Sequence, residues 1–535
     1  MENIEIIPFN KESLEKLNKL LAYPKNRGYQ VFENLLQYLV KLNCRSIIVE
    51  KDYIDKDFRS EYSGLYSKSF KRFDNYCVRL HFWKEDIKIE DIPYNQEKYL
   101  GYITIRPIDV GKIGKTIIKP WIKDMNRIYP LCICNVDSHL LGTELKIQGC
   151  PFIQQDTMVM SCAHASLWMA TRYIHMRFET PEFLPFDIIQ YASRSFTLER
   201  ILPTEGLTFF TMFNTLKNMG YSPIYQSREK NKSWDRNSVA WIYTYIESCI
   251  PVILTTKAQK GKKHAITVIG HTFSPKRFDN IVSKAEDNII GSYKWVDAFI
   301  IHDDSLGPYR LLPITEHDKK LIEQEFPDML ASKGGLYNTF TEDIDGMIVP
   351  VPEKVYILGE YLEDMIKTEV LDIKKQFIND LCTIVKTMPV EQTVAASTFL
   401  NSLLNLSKSP IVLRTYLIPS VKYKESLTKE PLATEMHEIV RDKYKRLGMP
   451  RYIWVTEITT AEMMSKEIQS ERKILGEIIV DATANKYSFS AFLAVHLPGM
   501  LAINDINKKI DDTDKNPLQK FLLPNDKPYS HAIRG

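Results

Sequence analysis

The stretch that most constrains this chain is Gln154-Gln155-Asp156-Thr157-Met158-Val159-Met160-Ser161-Cys162-Ala163-His164-Ala165-Ser166-Leu167-Trp168, where a polar turn carrying glutamines ends at a cysteine and a helical run begins. Far downstream, Lys263-His264-Ala265-Ile266-Thr267-Val268-Ile269-Gly270 sets a histidine at the head of an apolar strand. Beyond it, Phe299-Ile300-Ile301-His302-Asp303-Asp304 is a strand that ends in carboxylates. Glutamine, cysteine, histidine and aspartate in that order are the parts of an oxyanion hole, a thiol nucleophile, its base and the group that orients the base. Using them requires a fold in which a helix start meets the ends of two strands.

Each residue type has a physical reason. A neutral thiol is a poor nucleophile, and a helix N-terminus, with roughly half a positive charge and unpaired N–H groups, favours the thiolate. The spacing predicts that Cys162 opens a helix. An imidazole in reach, His264, completes a thiolate–imidazolium pair and returns a proton to the leaving amine. A carboxylate at the end of the neighbouring strand, Asp303 or Asp304, fixes the tautomer of that ring. The backbone N–H of Cys162 and a glutamine amide on the preceding turn, Gln155 or Gln154, supply the oxyanion donors. Cys162 taken alone reads as core filling; the ordered company of the other three changes that reading.

Composition bounds the rest. The 535 residues exceed one core, so two to four domains are expected. A net charge of +3 gives no argument for a nucleic-acid partner. The acidic start Met-Glu-Asn-Ile-Glu lacks the basic region of a secretory signal. No run reaches the ~18 apolar residues that span a bilayer; the best, Phe489 to Ile503, is interrupted by His496 and Pro498. Neither a membrane nor a nucleic acid is therefore an expected partner. The eight cysteines are widely spaced, as free thiols of a reducing cytosol are, and a cytoplasmic location follows. Cys132-Ile133-Cys134 lacks a second pair for zinc and reads as a strand with both thiols on one face. No metal and no cofactor are expected.

The chain divides by pattern into an N-terminal mixed α/β domain (1–145), a central domain (146–351), a C-terminal α+β domain (352–510) and a loose polar tail (511–535). In the first, helical spacing covers Leu14 to Leu21 and Gly28 to Leu42, and strands cover 46–50, 76–83 and 99–106. The central part sets helices at about 162–175, 185–193, 207–219 and 238–249 before strands at 251–256, 264–270, 299–303 and 346–351, which reads as α+β. The C-terminal part carries one or two helices over 359–388, a helix at 431–446, and strands at 412–418, 452–458 and 476–481.

Taken together, Gln155 ahead of Cys162 at a helix start, Ile250-Pro251-Val252-Ile253-Leu254 ahead of His264-Ala265-Ile266-Thr267-Val268-Ile269-Gly270, and an apolar strand ending at Asp303 resemble the papain-like cysteine peptidase superfamily. The nearest likeness is its bacteriocin-processing, double-glycine peptidase-like branch, over roughly residues 146–350. The resemblance implies Cys162 as nucleophile, His264 as base, Asp303 as orienting residue and Gln155 as oxyanion donor. It implies a helical subdomain on an antiparallel sheet with the site between them, a protein or peptide substrate, and a bacterial source. Two departures stand out: Ala163 after the cysteine, and a long polar insert from Ser274 to Ser292. The same thioester passed to an amine would make a transglutaminase-like acyltransferase, and a dead site would leave a binding module. The flanking domains are expected to select substrate or partners. A zinc site from His264, His302, Asp303 and Cys162 has no recognised ligand spacing. Gly111 to Thr116 imitates a phosphate loop, but Asp109 occupies the first glycine's place. The basic turn Lys257, Lys260, Lys262, Lys263 reads as a solvated loop or as an attraction for acidic substrate.

Overall fold

The computed structural model describes residues 3–20, 27–122, 126–156, 158–194, 206–228, 234–257, 263–283, 289–331, 337–368, 410–485, 491–504, 518–523 and 525–530. The chain is mixed helix and sheet. Its first layer is an antiparallel sheet in sequence order: β1 (Ile4–Pro8), β2 (Ser46–Tyr53), β3 (Cys77–Trp83), β4 (Tyr99–Ile105) and β5 (Ile113–Ile118). Three helices accompany it, α1 (Lys11–Leu20), α2 (Arg27–Lys41) and α3 (Lys56–Gly64). Helix α2 buries Val31, Phe32, Leu35 and Leu39, one stripe at helical spacing. Helix α3 starts where the Asp55 side chain accepts the Phe58 N–H at 2.9 Å.

After β6 (Ile128–Tyr129) and the hairpin β7 (Cys134–Leu140)–β8 (Thr143–Gly149) comes a helical group: α4 (Cys162–Phe178), α5 (Pro185–Ser193), α6 (Phe209–Asn218) and, after β9 (Ile224–Ser227), α7 (Val239–Glu247). Every residue of α4 from Ala163 to Ile174 is buried. A helix with no polar stripe belongs in an interior, and α4 lies there, against the second sheet. That sheet contains β10 (Val252–Thr256), β11 (Ala265–Thr272), β13 (Ala298–Asp303), β14 (Gly307–Pro313) and β15 (Ile344–Val349). Its order is β14-β13-β11-β10-β15-β9, antiparallel throughout, with β6 paired to the far end of β11. Gly270 is required in β11, because a Cβ there would sit 2.2 Å from the Tyr129 carbonyl.

The polar insert between β11 and β13 has a structural role. Its strand β12 (Ile289–Gly291) leaves the second sheet and pairs in parallel with residues 411–413 of the third. The third sheet continues through Ile411–Pro419, Tyr452–Thr460, Gly476–Asp481, Phe492–Leu497, Met500–Asn504 and Leu518–Leu522. Buried charges join it to the second layer: Arg414 bonds Glu247 at 2.7 Å and Glu457 at 3.1 Å, and Glu247 also bonds His271 at 2.8 Å. One continuous apolar cluster runs from Leu17 to Ala502 through all three layers.

Several expectations change. The polar end, expected as a loose tail, carries Leu518–Leu522 on the third sheet and Tyr529–Ser530 paired to Lys473–Ile474, with Tyr529 buried. Polar residues there alternate with apolar ones that pack, which a reading of bulk polarity hides. The helix expected over 431–446 is two, Leu432–Glu435 and Glu438–Arg446, because Met436 is extended and His437 caps the second. Cys132 precedes the strand that begins at Cys134, so the two thiols do not share a strand face, although both are buried. The apolar stretch 489–503 contains a hairpin, Phe492–Leu497 with Met500–Asn504. Among the described residues no helix is long and apolar enough to cross a membrane. The turn at 258–262, with Lys260 and Lys262, residues 369–409 with the second C-terminal helix, and 505–517 and 531–535 of the tail lie outside the described residues.

Candidate active site

Cys162 is the first residue of α4, half-buried, with Ser161 as the N-cap in extended conformation. The cap is tied by His164: its Nδ1 accepts the Ser161 N–H at 3.3 Å and lies 2.9 Å from the Ser161 hydroxyl. Burial holds the His164 imidazole down at about 4, so it stays neutral and serves as a cap. The loop before it is wound on one side chain. Asp156 Oδ1 accepts the N–H groups of Met158, Val159 and Met160 at 3.0, 2.8 and 2.8 Å, and a carboxylate gathering successive amides is a strong local fold. Gln155, half-buried, sits at the mouth of this loop. Gln154 is buried and its Oε1 accepts the Ile113 N–H at 3.3 Å. The Gln154 side chain is thereby tied to β5, and Gln155 is the residue just before Asp156.

His264 stands just before β11, its backbone pinned on both sides of Thr256: its N–H donates to the Thr256 hydroxyl at 3.1 Å and its carbonyl accepts the Thr256 N–H at 2.8 Å. Strand β11 lies against α4, where the Thr267 hydroxyl donates to the Ser166 carbonyl at 3.4 Å. The imidazole Nε2 is 3.0 Å from Asp303 Oδ1 and 3.5 Å from Asp304 Oδ1. Cys162 lies close enough to the ring to add to the upward push on it. With Nε2 facing the carboxylates, Nδ1 is the nitrogen left for the sulfur. Cys162, His264 and Asp303, read from three distant stretches, therefore meet.

The electrostatics follow from burial and charge. Burial alone would hold His264 neutral. The Asp303 and Asp304 charges, with the hydrogen bond to Asp303 and the nearby Cys162, outweigh it and raise the imidazole well above its ordinary value. Asp303 is fully buried, which would raise it. The His264 charge and its bond, the Tyr337 hydroxyl donating to Oδ2, and the Ser305 N–H at 2.7 Å from Oδ1 together hold it below the ordinary range. Asp304 is pushed up to about 7, chiefly by burial; the His264 charge opposes this and the like charge of Asp303 adds to it. The Gln155 N–H faces its carboxylate and favours the ionised form, but without good hydrogen-bond geometry, and both Asp304 oxygens lack a hydrogen-bond partner.

Simple alternation along a strand puts Asp303 and Asp304 on opposite faces. The structure brings both to His264, because β13 ends at Asp303, its ladder to β14 slips between Ile301 and Asp303, and Asp304 begins the turn. His302 does alternate away: it packs between Phe152 and Tyr309, bonds the Pro151 carbonyl at 3.3 Å, and is held down to about 3 by burial. The zinc site expected to need His302 therefore does not assemble with it. A different set does offer ligand atoms, His264, Asp303 and Asp304, all within 4.8 Å of one another. Lys263, in the basic turn, pairs with Asp345 at 2.6 Å on the surface. The segment that imitates a phosphate loop is Gly111, at φ +69°, leading into β5.

Tyr337 was not legible as a site residue, since no motif surrounds it. Asp156 had one signal, a short polar side chain poised to fold the amides that follow. No protein-family model matches the chain, and no curated protein matches it.

Proposed function

We propose that this chain is a cysteine peptidase that hydrolyses a peptide or isopeptide bond. The observation that carries the proposal is the arrangement around His264: Nε2 on the Asp303 carboxylate at 3.0 Å, the ring near enough to Cys162 to be pushed up by it, and the cysteine at the start of a buried helix. A fixed, charge-supported imidazolium beside a sulfur at a helix N-terminus favours the thiolate. The thiolate attacks the amide carbon. The Cys162 N–H and the Gln155 amide receive the oxyanion. His264 protonates the leaving amine, then takes a proton from the water that hydrolyses the thioester. The helices α4 to α6 packed on an antiparallel sheet support a papain-like organisation for the central region. Among the described residues no two cysteines are joined as a disulfide, which suits a cytoplasmic setting.

The test is a peptide carrying a thiol-reactive electrophile, followed by peptide mapping. Cys162 is labelled in the full chain, and labelling is lost in Cys162→Ala and falls sharply in His264→Ala. No labelling of Cys162 in the unaltered protein overturns the proposal. With a substrate in hand, mass spectrometry shows water uptake; a cross-linked amine product instead marks an acyltransferase.

A further inference from the structure

The turn that leads to Cys162 is not built by the central region alone. Residues 152–154 run along the edge of the first sheet: Thr116 and Phe152 exchange backbone bonds at 2.9 and 3.0 Å, and the Gln154 N–H donates to the Ile113 carbonyl at 3.0 Å. The Arg106 guanidinium, buried, donates to the Gln154 carbonyl at 2.7 Å and to the Gly111 carbonyl. It is itself held by both oxygens of Glu61 at 2.9 Å. Gly111, at φ +69°, lets the loop press in, since a Cβ there would lie 1.9 Å from the Gln155 carbonyl. The Tyr66 hydroxyl donates to Asp156 at 2.7 Å, on the oxygen not used for the loop amides. One turn before Glu61 on α3, Asp57 receives the Trp168 indole N–H at 3.1 Å and the Arg172 guanidinium, both from α4. On the acid side, Asn34 of α2 donates to the Leu306 carbonyl at 2.7 Å, and Tyr38 stacks on Tyr309 at 5.4 Å.

We infer that Arg106 and Tyr66 are positioning residues for the oxyanion side of the site, so that the first layer is part of the catalytic centre. This rests on the peptidase reading. The donors for an oxyanion must be in place before reaction, within about 0.5 Å. Here one donor, the Cys162 N–H, opens α4, and the other, Gln155, lies in the irregular stretch that leads to it. The turn's shape is set by the Asp156 carboxylate and the Gln154 carbonyl, and the groups that fix those two are Tyr66 and Arg106.

Two reactions at Cys162 separate positioning from folding. Iodoacetamide is displaced by the thiolate in one step: the S–C bond forms, iodide leaves, and no oxyanion develops. Acylation by 4-nitrophenyl acetate forms an S–C bond at the carbonyl through an oxyanion and expels 4-nitrophenolate. In the full-length protein, Tyr66→Phe and Arg106→Lys are expected to keep the alkylation rate and to slow acylation by about tenfold or more, short of the 10² to 10³ that removal of an oxyanion donor itself costs. Equal acylation in both variants and the unaltered protein overturns the inference. So does a parallel fall of both reactions in Tyr66→Phe, which removes a single hydroxyl and decides the matter if Arg106→Lys fails to fold. An unaltered protein that neither alkylates nor acylates at Cys162 overturns the peptidase reading itself.

Discussion

Asp303→Asn tests the centre of the argument. Asparagine keeps the shape: with its oxygen in the Oδ1 place it still accepts from the Ser305 N–H and faces His264, while its NH2 takes the Oδ2 place and donates to a Tyr337 hydroxyl that has turned to accept, so the change removes the charge and reverses one hydrogen bond. The bond lost is a charge-assisted one of 3.0 Å to a carboxylate with no exposure. Such bonds contribute about 1.5–3 kcal/mol net, and the surviving Asp304 carboxylate at 3.5 Å places the effect toward the lower half. At 1.4 kcal/mol per factor of ten, the thiolate–imidazolium pair then falls about ten- to fortyfold relative to neutral thiol and imidazole. The rate of Cys162 alkylation near neutrality reads that fall directly. Histidine Cε1 resonances, with His264 assigned by its loss in His264→Gln, read the accompanying move of its titration toward the ordinary value. The stability sign follows from linkage. His264, raised in the fold, contributes fully below its ordinary 6.5 and loses that contribution as pH rises through its folded value. Asp303, lowered in the fold, contributes above its ordinary 3.8 and loses that contribution in acid. The stability gap between the two proteins is therefore widest between 3.8 and 6.5. An unchanged alkylation rate with an unmoved His264 titration refutes the reasoning.

Three further outcomes are expected. Asp304 holds its proton to about 7 in the fold against an ordinary 3.8, so the unaltered protein loses stability as pH rises across that interval while Asp304→Asn does not; urea midpoints that keep a constant gap contradict this. Zinc ions placed on His264, Asp303 and Asp304 protect Cys162 from alkylation, chelation reverses the protection, and Asp304→Asn weakens it; protection identical in the variant would move the ion elsewhere. Arg414→Met removes the buried guanidinium that Glu247 and Glu457 share, leaving two buried carboxylates without their common counter-charge, which costs about 3–5 kcal/mol by chemical denaturation; a loss under about 1 kcal/mol would show that these groups neutralise themselves by taking protons.

What was legible and what was not divides along a physical line. The start of α4 at Cys162 and the strands that deliver His264 and Asp303 read directly, because each is a local pattern: a polar turn before a helical run, or an apolar run closed by an ionisable residue. The chemistry prescribes those residue types, so they stand out. Strand alternation would turn Asp304 away from Asp303, but a ladder slip ends the strand one residue before it, and slips depend on the partner strand, so the sequence leaves the two carboxylates undivided. Tyr337, Arg106, Glu61 and Tyr66 were silent for a different reason. They act by donating or accepting at backbone carbonyls and carboxylates far along the chain, and many residue types in many places could do so. Glu61 and Gln154 are joined through Arg106, which touches both, and no spacing within the chain encodes that meeting. The residues that react are constrained by what they must be; the residues that hold them are constrained only by where they must be. A site of this kind is thus half visible in one dimension. The expectation that the first layer merely selects partners failed to anticipate its hold on the nucleophile turn because that hold is written in distances, not in motifs.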